Sequence, residues 1–397
     1  MLCPYSTEKL IGLEGVIVKN VSDDENCKQI EIEMELRTHP CPCCGTATRT
    51  IHDYRRQRVK DIPAFGKYTV LYLRKRRYRC TNCGKRFFEK VGFLPRYHRM
   101  TSRLAAYVIS RLADVCSFTS VAKDVNLSVS TVIRIFDLVH YSAASLPEVL
   151  SIDEFKGNTD REKYQCIITD PVKRRVVDIL KSREKHCLTA YFKRFDRSKT
   201  AYFVSDMWST YADISKTFFK NAAFIVDKYH FIRQVIWAFE AVRKEVQHSL
   251  SPERRRYFKR SRTLLNRRYE FLSYEQKQQV DVMLYASDKL ANAYWLKEQF
   301  FRLSDCKDSV NAKKQLVVWI RGASNSGIER YISCANTFVR WSHGILNSFN
   351  SSYTNGFTEG CNNKIKVLKR NAYGYRNFNR LRNRILHIFN YDKNEAV

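Results

Sequence analysis

Two cysteine knuckles and three widely spaced acids are the residues whose types and spacing suit chemistry. Cys41-Pro42-Cys43-Cys44-Gly45 and Cys80-Thr81-Asn82-Cys83-Gly84 each hold two thiols two residues apart, the reach needed to share one tetrahedral metal. The glycine that follows permits the turn that aims backbone amides at the sulfurs. One structural zinc ion on Cys41, Cys44, Cys80 and Cys83 is the expectation, with Cys43 a neighbouring thiol able to exchange roles with Cys44. The acids are Asp153, Asp206 and Glu359. Brought to one point they repel one another unless cations neutralise them. Hard oxygen ligands select magnesium or manganese. Two such ions serve an in-line displacement at phosphorus, activating a water or a 3′-hydroxyl and stabilising the leaving oxygen. Taken singly, each acid reads as readily as a salt-bridge or edge residue; their conjunction carries the reading.

Composition agrees with a polyanionic partner. The 397 residues carry a formal net charge of +30, far beyond what solubility needs. Double-stranded DNA is the simplest partner, and an anionic membrane surface is the alternative. No apolar run of roughly 18 residues exists to span a bilayer. Residues 1–12 lack the basic start and apolar core of a signal peptide. A cytoplasmic, nucleoid-associated protein is therefore expected, its 13 cysteines reduced or metal-bound rather than paired.

The elements that position these residues follow in order. Residues 10–37 alternate as short strands around the polar turn at Asp23–Asn26. The 35 residues between the knuckles (45 to 79) read as strands forming the arms of a zinc ribbon. The ribbon is basic, with Arg55, Arg56, Arg58, Arg74, Lys75, Arg76, Arg77 and Arg79 interleaved with Tyr54, Tyr72 and Tyr78. Arg74, Arg76 and Arg77 are assigned to phosphate contact, a solvated charged face being the alternative. From Thr101 the period becomes helical. A first helix is capped by Thr101 or Ser102, a short second spans Ser117 to Val125, Asn126-Leu127-Ser128 turns, and a third spans Val129 to Phe136. That is a helix-turn-helix layout. Ser128, Ser130, Thr131 and Arg134 would face the major groove, and Val121, Val125, Leu127, Val132 and Ile135 the core. A plain three-helix packing unit is the alternative.

After Leu146-Pro147 a new pattern begins. Val149–Phe155, Tyr164–Asp170 and Arg175–Leu180 read as an antiparallel meander, followed by a helix, a strand ending at Asp206, a second helix and a strand ending at Asp227. The order βββαβαβ is that of a ribonuclease-H-like core. It sets Asp153 on the first strand and Asp206 at the end of its neighbour. Near the end of the chain, Thr358 is placed to cap a helix over Gly360–Leu368, with Glu359 in its first turn, where the helix dipole favours negative charge. Lys364, Lys366 and Arg370 follow on that helix as phosphate-contact candidates, and an ordinary capped surface helix is the alternative. The basic stretch on to Arg376, Arg380, Arg382 and Arg384 reads the same way.

Ser151-Ile152-Asp153-Glu154-Phe155, Ser205-Asp206-Met207-Trp208, Val226-Asp227-Lys228-Tyr229-His230-Phe231 and Thr354–Lys366 resemble the motifs of DDE transposases of the ISL-three insertion-sequence family. Arg370–Asn377 is similar to that family's tail, and the resemblance covers nearly the whole chain. It implies a ribonuclease-H-like fold, two divalent metals on Asp153, Asp206 and Glu359, and an auxiliary acid-x-x-histidine motif formed by Asp227 and His230. A helix-start histidine bonded to backbone is the alternative for His230.

Between Asp206 and Glu359 lie 152 residues (207 to 358), and 231–345 reads as almost all helix, an insertion in the core. Its Trp237, Trp295, Trp319 and Trp341 are assigned to the core rather than to base stacking. The expected class is thus α+β multidomain. A zinc ribbon (1–98) and a helix-turn-helix (99–146) precede the ribonuclease-H-like α/β core (147–230). The α-helical insertion (231–345) and a core completion bearing Glu359 (346–397) follow. The function expected is a homodimeric transposase that binds terminal inverted repeats, hydrolyses a phosphodiester and transfers the strand to target DNA. A DNA-binding regulator derived from such an enzyme, and a nuclease without strand transfer, are the alternatives.

Overall fold

Alternating apolar residues separated by polar turns build the first sheet. In the computed structural model, which describes residues 9–258 and 261–392, β1 (Val16–Asp23) and β2 (Cys27–Met34) form a hairpin. The short pair β3 (His39–Pro40) and β4 (Ala47–Thr48) carries the first knuckle between them. A long hairpin joins β5 (Ile51–Ala64) to β6 (Lys67–Arg79) through Phe65 and Gly66, both at positive φ as a two-residue loop requires. The sheet order is β1-β2-β6-β5, with β7 (Arg86–Phe88) also paired to β6. Ile30, Ile32, Val59, Leu71 and Leu73 form its apolar core.

The chain folds as two units. The first takes residues up to Tyr141 together with 367–374 and 383 onward; the second takes 142–366 and 375–382. In the first unit, helices Ser102–Arg111, Phe118–Asp124 and Val129–Phe136 are capped by Thr101, Ser117 and Ser128, whose hydroxyls accept the amides of Leu104, Ser120 and Thr131. Asn126, at φ +52°, makes the turn between the second and third. Val121, Val125, Val132 and Ile135 are buried together, with Leu127 packed against them. Buried Asp61 of β5 fastens this bundle to the sheet, accepting from Thr101 Oγ1 at 2.6 Å and Arg103 Nε at 2.9 Å.

Helix Phe378–Asn390 contributes to the same unit from Asn383 onward. Arg384 is fully buried and donates to the carbonyls of Asp114 and Cys116, both at 2.9 Å. Arg382, in the second unit, bonds Asp178 at 2.7 Å. These two arginines are thus structural, contrary to the expectation that they track phosphates: each donates to acceptors within the fold rather than facing solvent freely.

The second unit is built on a mixed sheet of order β10-β9-β8-β11-β12. β8 (Val149–Thr159), β9 (Glu162–Asp170) and β10 (Arg175–Leu180) are antiparallel neighbours; β11 (Tyr202–Ser205) and β12 (Ala223–Val226) continue parallel to β8. Helices Lys185–Phe192 and Ser209–Phe218 pack through Leu188, Tyr191, Tyr211 and Ile214 against Leu150, Ile152, Cys166 and Ile168. Helices Lys228–Ser249, Asp288–Ser304, Ser309–Ser324 and Glu329–Asn347 share another core that includes Phe231, Phe300, Trp319, Phe338 and Val226. Trp319 and Trp341 are buried as expected, but Trp295 and Trp237 are exposed. On Lys228–Ser249 the buried stripe is Phe231, Val235, Ala238, Phe239, Val242 and Val246, and position 237 lies off it. No helix among the described residues is long and apolar enough to cross a membrane.

Candidate active site and zinc site

The two knuckles meet. One sulfur each from Cys41, Cys44, Cys80 and Cys83 lies within 4.8 Å of the others, and Cys43 stays outside the group, exposed. Cys41 and Cys83 Sγ are 3.5 Å apart, as are those of Cys44 and Cys80. Gly45 and Gly84 take φ of +73° and +71°, and the amides of Cys43 and Cys83 point at the sulfurs of Cys41 and Cys80. Four thiols with amide donors to sulfur fit a tetrahedral zinc ion, which supports a structural zinc.

Not all of the nearby arginines face outward. Arg76 is buried: it donates to the Met34 carbonyl at 2.6 Å and sits 3.5 Å from Glu89 and 3.6 Å from Glu33. Its assignment to DNA is corrected, because the inward side of β6 switches between Leu73 and Arg76. Arg74 is exposed and stacks on Tyr54 with its guanidinium 3.9 Å from the ring centroid; half-exposed Arg77 pairs with Asp53 at 3.4 Å. Ser128, Ser130 and Arg134 are exposed and Thr131 is half-buried at the start of the third helix. There the Ser128 hydroxyl bonds both Ser130 and Thr131, so cap and helix start are one polar group.

In the second unit, register brings the first two acids level. Val204 of β11 pairs with Ser151 of β8, and Asp206 and Asp153 each lie two residues further on. Burial pushes the Asp153 carboxyl up to about 7, helped by the charges of Glu154, Asp206 and Glu359. Asp206 is likewise pushed up to about 7, by burial and then by Glu154. Glu154 is itself held by Arg183 at 2.8 Å and the Tyr211 hydroxyl at 3.3 Å.

Glu359 stands in the first turn of helix Gly356–Asn371. The helix begins earlier than expected, so Thr358 is not its cap. The Thr358 side chain is buried and bonds the hydroxyls of Ser151 and Thr169, both at 2.8 Å, because it meets β8 and β9 rather than solvent. Asn355 accepts from Ser151, and its amide donates to Asp227 at 3.2 Å. Asn362, one turn beyond Glu359, donates to Asp153 Oδ2 at 2.9 Å. Lys364, Lys366 and Arg370 are exposed on the same helix.

Glu359 lies nearest to Asp227 and His230: one ligand atom from each falls within 4.8 Å of the others, a group that does not include Asp153 or Asp206. His230 Nε2 is 3.9 Å from Glu359, and burial and Arg233 hold the imidazole down to about 4. At neutral pH it is therefore uncharged, and the contact is not an ion pair. Its Nδ1 faces Arg233 at 3.0 Å, and its buried Nε2 has no hydrogen-bond partner. Burial also raises Asp227 and Glu359. Carboxylates held above their ordinary range, with an orphaned imidazole nitrogen, fit a divalent cation.

Glu154, Asn355, Asn362 and Arg233 join the site without having stood out as candidates in the sequence. The one available signal is the three-residue spacing from Glu359 to Asn362, which places both on one helix face.

Buried acids on a mixed sheet, a four-cysteine ribbon and a helix-turn-helix define a DNA-processing protein with its own binding module. Residues 150–385 match the family model described as "Transposase", 89–140 the "Helix-turn-helix domain of transposase family ISL3", and 37–83 the "zinc-finger of transposase IS204/IS1001/IS1096/IS1165". The chain belongs to the ISL3 family of transposases, enzymes that cleave and move DNA. It is 30% identical over 390 residues to the "Transposase for insertion sequence element IS1001" of Bordetella parapertussis, covering 93% of this chain and 94% of that one. A 107-residue stretch is 36% identical to a Lactococcus lactis protein named "ATP-dependent protease", covering 27% of this chain and 33% of that one.

Proposed function

We propose that the protein binds the terminal inverted repeats of an insertion sequence, hydrolyses a phosphodiester at each end and transfers the freed strand to target DNA. The proposed core is ribonuclease-H-like, interrupted by an α-helical insertion over 231–345, with the other domain limits as given above. The observation that carries the reading is the shared register of Asp153 and Asp206 on paired strands, with Asn362 tying the Glu359 helix to Asp153.

Asp153, Asp206 and Glu359 would hold two magnesium or manganese ions. When bound, these supply activation of the attacking oxygen and neutralise charge on the leaving oxygen. The chain's own residues do the rest. Asn362 orients Asp153, Arg183 and Tyr211 restrain Glu154, and Arg233 fixes the ring of His230 while Asp227 is anchored by the Asn355 amide. Neutral His230, with Nε2 turned toward Glu359, is placed to add a ligand atom. Ser128, Ser130, Thr131 and Arg134 would read the repeat in the major groove. Arg74, Arg77, Lys364, Lys366 and Arg370 would contact phosphates. Two ends must be held together, so a homodimer on nucleoid DNA is the proposed working form.

The test is strand transfer with magnesium on linear DNA bearing the element's own ends. Wild type should give joined product, and Asp153→Ala, Asp206→Ala and Glu359→Ala should give none while still shifting the DNA in a gel. Retained cleavage in any variant removes that residue from the site. Cutting without joining would instead mean a nuclease, and binding without cutting a regulator.

A further inference from the structure

Tyr229, Arg233 and Trp237 occupy successive turns on one face of helix Lys228–Ser249. The Arg233 guanidinium lies 5.1 Å from the Tyr229 ring centroid and 4.6 Å from that of Trp237. Both rings are open to solvent, Tyr229 at 52% and Trp237 at 54% exposure. Singly exposed aromatics are ordinary. Here one guanidinium lies against both rings, so the two aromatics and the cation form one continuous surface. The same arginine bonds His230 Nδ1 at 3.0 Å, and its charge acts on Asp206, Asp227 and Glu359. The ladder therefore starts at the carboxylates and leads away from them.

We propose that this ladder is a stacking platform for an unpaired nucleobase of the DNA strand engaged at the carboxylates, with Trp237 supplying the outer face. Charge complementarity and position select this occupant. The chain is strongly basic, and the ladder's centre is a guanidinium whose charge reaches Asp206, Asp227 and Glu359, so a strand engaged at those acids would have the ladder beside it. A paired duplex offers no base face to an indole, whereas an unstacked base at a strand end or a flipped position does. Arg233 adds a cation beside the same π surface. The proposal rests on the active-site reading above and specifies the state of the DNA bound there.

The test uses the full chain, wild type and with Trp237→Ala, Trp237→Phe or Tyr229→Ala, and a fluorescein-labelled single-stranded thymidine oligonucleotide, with the corresponding thymidine–adenine duplex alongside. Thermal melting first establishes that each variant folds. Trp237→Ala should weaken single-strand binding about tenfold or more. Trp237→Phe should keep most of the affinity, Tyr229→Ala should fall between, and duplex binding should be unchanged. The tryptophan emission lost in Trp237→Phe should be the component quenched by the oligonucleotide in wild type. Equal single-strand affinity in wild type and Trp237→Ala, or a change in oligomeric state in place of a change in DNA affinity, overturns the proposal. Metal-dependent cleavage is scored separately. Its failure with Trp237-dependent binding intact sinks the active-site reading alone; cleavage with Trp237-independent binding sinks the platform alone.

Discussion

Asn362 Nδ2 donates to Asp153 Oδ2 at 2.9 Å, joining the helix that carries Glu359 to the strand that carries Asp153. The bond fixes one carboxylate oxygen and leaves Oδ1 to the Glu154 amide at 2.8 Å. Asn362→Leu should leave DNA binding intact and slow cleavage about 10- to 100-fold, the usual cost of losing a group that orients a metal ligand. Single-turnover cleavage beside a gel shift checks it. Unchanged cleavage would mean that the bond does not position Asp153.

Much of this site is legible in the sequence because its parts are local. Asp153 and Asp206 follow from strand patterns with a fixed exit point, and the cysteine knuckles from spacing alone. What escapes depends on packing between distant segments. Arg76 and Arg384 look like surface cations in a basic run, yet each is buried on carbonyls or carboxylates contributed from far along the chain. Thr358 looks like a cap because threonine favours caps, but its hydroxyl finds Ser151 and Thr169 instead. Trp237 reads as inward on hydrophobicity; only the buried stripe of its helix shows it outside. Arg233 carries no signal, since an arginine in a basic chain is not distinctive.

The two strand-end acids, desolvated by the fold, also tie metal to pH. Asp153 and Asp206 have an ordinary value of 3.8 and are raised to about 7. Between those values the folded, metal-free protein keeps protons that the unfolded chain has lost, so these groups favour folding below about 4 and lose that contribution as pH rises through about 7. A divalent cation binds the ionised form, so it stabilises most where the protons have left. The rise in Tm on adding magnesium or manganese should be small near about pH 5 and larger near about pH 8. Asp206→Asn should lose most of that rise. Equal increments at both pH values would place the cation elsewhere.

Asp61 is a buried carboxylate that serves both the sheet and the helices. It accepts from Thr101 and Arg103, and Arg103 in turn bonds the Ile11 carbonyl at 2.6 Å. Asp61→Ala removes the acceptor and leaves the guanidinium without its counter-charge, which costs roughly 3–5 kcal/mol when such a pair is buried. Arg103 is partly exposed, so the lower end applies. Urea unfolding should show that loss, together with weaker DNA binding. Unchanged stability would mean that the apolar contacts alone hold the helices.

Gly344 faces β12 from helix Glu329–Asn347 with no room for a side chain. A Cβ at that position would lie 2.8 Å from side-chain carbons of both Phe224 and Val226. Neither side chain is a flexible tip, so strand or helix must shift. Gly344→Ala should destabilise the protein by about 1–3 kcal/mol in urea unfolding. A neutral result would show that the two elements have room to separate.

The zinc site separates two neighbouring thiols, of which sequence spacing favours Cys44 while leaving an exchange with Cys43 open. Cys44 lies in the four-sulfur group, and its Sγ also approaches the Thr46 hydroxyl at 3.3 Å; Cys43 is exposed and lends its amide to Cys41. The backbone at Gly45 turns at positive φ, which fixes which of the two side chains points inward. Cys43→Ser should therefore retain one zinc per chain by metal analysis, and Cys44→Ser should lose it. The ribbon's small apolar core gives it little stability of its own, so zinc loss should lower Tm and release the knuckles to proteolysis. Because Asp61 joins the same sheet to the helix-turn-helix, chelation should also weaken binding to duplex DNA. Zinc retained by Cys44→Ser but lost from Cys43→Ser would reverse the assignment.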